Sequence, residues 1–106
     1  MIVVTTDEVT GHRITTVFGL VQGSSVRARH LGTDILAFFK NLTGGGILQY
    51  TKLLAEAREQ ALDRMREEAT RHGANAIVGV RFSSTDISEG ASELLVYGTA
   101  VQIERS

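Results

Sequence analysis

Three successive glycines, Gly44, Gly45 and Gly46, followed by Tyr50 and Lys52, are the residues of this chain best suited to hold a ligand. Glycine-freed amides at a helix start, together with the helix dipole, favour a bound anion. Tyr50 supplies an aromatic face and Lys52, one turn in, an ammonium group. No Lys-Ser or Lys-Thr follows in phosphate-loop register, and no Gly-x-Gly-x-x-Gly joins a strand to a helix. The set therefore reads as a small-ligand or anion site, and the competing reading is a turn that lets helices or subunits approach closely.

Other chemistries find less support. His12, His30 and His72 are widely separated, with no second His one turn away and no cysteine anywhere in the chain. That excludes disulfides, thiolate metal sites and cysteine nucleophiles, and no local metal site is expected. Copies of one residue meeting on a symmetry axis are the one route to a metal that a single sequence does not show. Asp7-Glu8 and Glu67-Glu68 are adjacent carboxylates, which diverge on a strand or helix and so do not form a catalytic pair. No serine sits in a Gly-x-Ser-x-Gly elbow. Neither an enzyme nor a cofactor is expected. Arg27, Arg29 and His30 form a small basic group beside Ser24 and Ser25, which suit the N-cap of a helix.

Positioning these residues falls to a chain of 106 residues, 42% apolar and 22% charged, a length for one domain with a single core. Eleven basic and twelve acidic residues are interspersed, for a net charge of -1. Such a balance provides no concentrated positive field for nucleic acid. No apolar run has the roughly 20 residues needed to cross a bilayer, and the first residues lack the pattern of a signal peptide, so the cytoplasm is the expected location.

Periodicity predicts the elements. Ile2–Thr6 and Arg13–Gln22 are rich in β-branched residues and flank a turn-forming stretch, predicting two strands. Leu31, Ile35, Phe38 and Leu42 recur at helical spacing, predicting a first helix over Arg27–Asn41 that the glycines then break. A long helix is predicted over Ile47–His72, with Tyr50, Leu54, Ala57, Ala61, Met65 and Ala69 on one face, a Glu67–Arg71 pair, and Gly73 after its end. Ala76, Val78, Val80 and Phe82 alternate with Ile77, Gly79, Arg81 and Ser83 as a third strand. A polar connection over Ser84–Ala91 leads to a last strand over Ser92–Glu104 that is apolar on both faces.

The predicted long helix extends to about 39 Å, whereas a compact domain of this length is about 33 Å across. Its overhang and the second apolar sheet face both call for another surface, most simply a second copy of the chain.

Read as a set, Thr5-Thr6, Gly19-Leu20-Val21-Gln22-Gly23, Gly44-Gly45 with Tyr50, Ala57-Arg58 with Ala61-Leu62, Gly73 through Val80, and Gly98-Thr99-Ala100-Val101 resemble the YbjQ-like family of small bacterial and archaeal proteins. The resemblance spans nearly the whole chain. It implies an α+β subunit of dodecin-like type, an antiparallel sheet in the order β-β-α-α-β-β with one long helix packed on it, and assembly into a ring, typically a pentamer. It implies no established enzyme activity. The heavy-metal-binding label carried by the family requires ligands, and soft metals prefer thiols, which this chain lacks. Two expectations follow: a non-enzymatic homo-oligomer that binds a small ligand or ion between subunits, or an assembly module whose ring surface receives a protein partner.

Overall fold

A computed structural model describes residues 1–28, 45–88 and 91–106. Among these residues the order is β1 (Ile2–Val3), β2 (His12–Ala28), α1 (Gly45–Arg71), β3 (Ala76–Ser88) and β4 (Ala91–Arg105). The strands form one four-stranded sheet in the order β1-β3-β4-β2. β4 pairs antiparallel with both β2 and β3, whereas β1 runs parallel to β3 through Ile2↔Ala76 and Val3↔Ile77. The sheet is therefore mixed, which corrects the expected all-antiparallel arrangement. The first two strands lie at opposite edges, because β2 takes the place beside β4 along its whole length.

β2 is longer than predicted and overturns the helix start at Arg27. Ser24, Ser25, Val26, Arg27 and Ala28 pair with Leu95, Leu94, Glu93, Ser92 and Ala91, so the two serines are strand residues and not an N-cap. A long antiparallel ladder supplies more hydrogen bonds than one side-chain cap. Residues 29–41 of the predicted first helix lie outside the described residues. The predicted polar connection is likewise mostly strand: β3 continues to Ser88, which pairs with Ala91. Ser and Thr on an exposed strand face read as a loop by composition yet pair readily along a hairpin.

A bulge changes the facing of β3. Gly79 has φ +62, and the register with β4 shifts between Val78 and Arg81. Glycine adopts this left-handed conformation without the Cβ clash of other residues. Ile77 and Val80 consequently join one core cluster, while Ala76 and Val78 join another. Strict alternation had grouped Val80 with Ala76 and Val78. The N-terminal segment follows the bulge, with Gly79 N–H donating to Thr6 O and Val80 N–H to Val4 O.

Helix α1 buries Ala57, Ala61, Met65 and Ala69, the predicted stripe, while Leu54 is 45% exposed. Met65, Ala61 and Ala69 cluster with Val21, Ile77, Val80, Val96 and Ala100. Close approach is possible because Gly23 carries no side chain; a Cβ there would run into Ala61 O and the backbone nitrogen of Met65. The helix ends as predicted at Gly73, φ +86, where Gly73 N–H donates to Thr70 O and Ala74 N–H to Ala69 O. This is the paired-bond helix stop that a glycine after the C-cap permits.

On the opposite sheet face, Ala76, Val78, Val101 and Ile103 are covered by Val4 and Val9. Beyond them Val17 and Leu20 are about two-thirds exposed, with Val26 and Tyr97 also open. Pairing through Val17↔Val101, Leu20↔Thr99, Gln22↔Tyr97 and Val26↔Glu93 places all four on this one face. The chain measures 55 × 27 × 19 Å with a radius of gyration of 17.2 Å, against about 13 Å for a compact chain of this length.

Candidate functional site

The residues singled out by sequence lie at the start of α1. Gly45 and Gly46 are its first two residues, so they begin the helix where a break had been predicted, and Gly44 lies outside the described residues. The first turn of α1 carries no acidic residue, which leaves the positive end of the helix dipole unopposed by its own side chains. Tyr50 is helical, seven residues before Ala57, and Lys52 is exposed.

A second arrangement, which the sequence reading did not assemble, lies near the other end of α1. An open cleft of about 420 Å³ is lined by Gln22, Gly23 and Ser24 of β2, by Arg64, Glu67, Glu68 and Arg71 of α1, and by Glu93 and Leu95 of β4. The four helix residues recur at steps of three, one and three and so form one charged stripe beside the buried alanine stripe. From the sequence, Glu67 and Arg71 were expected to pair with each other and Glu67 and Glu68 to diverge at the surface, and the four were not grouped. Their helical spacing was the available signal, but nothing in the sequence alone brings β2 beneath them.

The stripe makes specific bonds to the strand. Gln22 N–H donates to Glu68 Oε2 at 3.2 Å, and the Arg64 guanidinium donates to Ser24 O. Ser25, fully buried, donates through Oγ to Gln60 Oε1 at 2.9 Å. The ion pairs among the described residues are Arg13–Glu104 and Arg66–Asp63, both at the surface, and the expected Glu67–Arg71 pair is not among them. With carboxylates and guanidinium groups side by side, the cleft has no dominant sign of charge.

His12 bonds locally to Thr10 O and His72 is exposed near the helix end. Among the described residues no three of His, Cys, Asp or Glu converge on one point. A soft heavy metal finds no thiolate in this chain, and the described residues bring together no other set of ligands for one. No described helix is long and apolar enough to cross a membrane.

A family model described as "Putative heavy-metal-binding" matches residues 1–104. A UPF0145 protein of Thermotoga maritima is 50% identical, with 99% of each chain covered. Its counterpart in Thermosipho africanus is 49% identical over all of this chain and 98% of that one, and the Clostridioides difficile protein is 51% identical over 98% and 93%. A crystal structure of a protein of unknown function from Pediococcus pentosaceus, assigned to the DUF74 family, superposes with a TM-score of 0.62 over 98% of both chains at 16% identity, which bears on the fold alone. By the family model and relatives at about half identity along the entire chain, this protein belongs to the YbjQ-like UPF0145 family.

Proposed function

We propose that this protein is a non-enzymatic, cytoplasmic homo-oligomer, a pentameric ring, that holds a small anionic ligand between subunits. The observation that carries the assembly is surface. A compact monomer of 11.5 kDa exposes about 5,800 Å² by the usual scaling with mass, whereas this chain exposes 7014 Å². The excess, roughly 1,200 Å², is of the order that one or two standard interfaces bury per partner. It coincides with an apolar face on which Val17, Leu20 and Val26 are each more than half exposed.

Ligand binding is assigned to Gly44, Gly45, Gly46, Tyr50 and Lys52. Support comes from the start of α1 at Gly45 and a first turn free of carboxylates, which suit an anion. Native mass spectrometry tests both parts together. The expected spectrum shows an oligomer carrying a defined extra mass, with that mass lost in a Gly45→Val variant that keeps its assembly. A monomer would overturn the ring, and an adduct unchanged by Gly45→Val would overturn the site.

A further inference from the structure

We infer that Arg64 and Glu68 form a lock on the open edge of β2, standing in for a fifth strand and closing that edge to strand addition. Among the described residues β2 is one of the two edge strands of the sheet and, at 17 residues, its longest strand. In an antiparallel ladder, alternate residues turn N–H and C=O away from the partner strand. Gln22 and Ser24 are two such residues, because the Gln22 N–H and the Ser24 carbonyl are taken by Glu68 and Arg64. An unprotected row of this kind is a template for pairing with another chain.

The match is geometric. Helix positions four apart are separated by about 6 Å along the axis, and strand positions two apart by about 6.8 Å. α1 runs antiparallel to β2, so Arg64 meets Ser24 and Glu68 meets Gln22 in step, a donor on the carbonyl and an acceptor on the amide. Gly23 between them allows the helix backbone to come close enough for both side chains to reach. An incoming strand at Gln22 and Ser24 has to displace both side chains. This inference does not rest on the proposed ring.

The test measures amide exchange and association on the full chain. In Glu68→Ala the Gln22 amide is expected to exchange at least tenfold faster, while amides of the core residues Ile77 and Val96 keep their rates. Glu68→Gln, which retains an acceptor oxygen, is expected to restore most of the protection, and Glu67→Ala to change nothing. In Arg64→Ala/Glu68→Ala, sedimentation velocity is expected to show concentration-dependent species larger than the wild-type assembly. Unchanged exchange at Gln22 in Glu68→Ala overturns the lock, and so does a double variant that stays folded by circular dichroism yet sediments as the wild type.

Discussion

At the scale of single residues, Asn75 shows how a side chain can complete a sheet. Its Nδ2 donates to Ile103 O at 2.9 Å and its Oδ1 accepts from Ile103 N–H at 2.8 Å, so the amide mimics the pair of bonds that a strand residue makes. Its backbone joins the same junction: Asn75 N–H donates to Val101 O, and Ile2 N–H donates to Asn75 O. One residue therefore ties β1, β3 and β4 together at the point where α1 ends. Replacing it by alanine leaves the N–H and C=O of Ile103 without these partners. The expected cost of Asn75→Ala is about 1–2 kcal/mol, the lower part of the range for an unsatisfied polar group because the site is only part-buried. Chemical denaturation reads this as a lower midpoint with an unchanged slope, and an unchanged midpoint would show the mimicry to be dispensable.

At the scale of elements, the docking of α1 on β2 is set by Gly23, whose missing Cβ lies where the Ala61 carbonyl and Met65 nitrogen pass. Those atoms are helix backbone, which does not rotate aside as a long side chain can. Gly23→Ala is thus expected to displace the whole helix and to cost about 1–3 kcal/mol, as overpacking of a core does. The measurement is a thermal melt, and a wild-type midpoint would mean that the helix shifts without loss. Much of this level was legible in the sequence. The helix predicted over Ile47–His72 is observed over Gly45–Arg71, and the last strand predicted over Ser92–Glu104 is observed over Ala91–Arg105. Both have sustained periods and unambiguous stops. The facing of β3 was not legible, because one left-handed glycine resets a period of two and nothing in its neighbours marks it. The serines at 24 and 25 were misread because their local preference for caps is weaker than a ladder with a distant strand. The parallel pairing of β1 with β3 is a long-range choice that local pattern does not encode. The charged cleft stayed hidden for the same reason, since its halves lie some forty residues apart.

At the scale of the molecule, the question is what covers the sheet face opposite α1. The N-terminal segment, through Val4 and Val9, shields only the end built from Ala76, Val78, Val101 and Ile103. Farther along, Leu20 is 67% exposed and Val17 is 64% exposed. Apolar side chains so open contribute little to the stability of the isolated subunit but much to an interface that removes them from water, at about 25 cal/mol for each Å² buried. A charge placed there should therefore separate folding from association. Leu20→Glu is expected to retain the circular dichroism of the wild-type subunit while its sedimentation coefficient falls to that of a monomer, because each ring interface would bury an unpaired carboxylate. The Glu68–Gln22 and Arg64–Ser24 bonds are made at the open edge of β2, whereas Leu20 points from the face opposite α1, so the two features can be varied separately. Should Leu20→Glu sediment with the wild-type assembly, this face lies outside the interface, and the excess surface must be buried elsewhere.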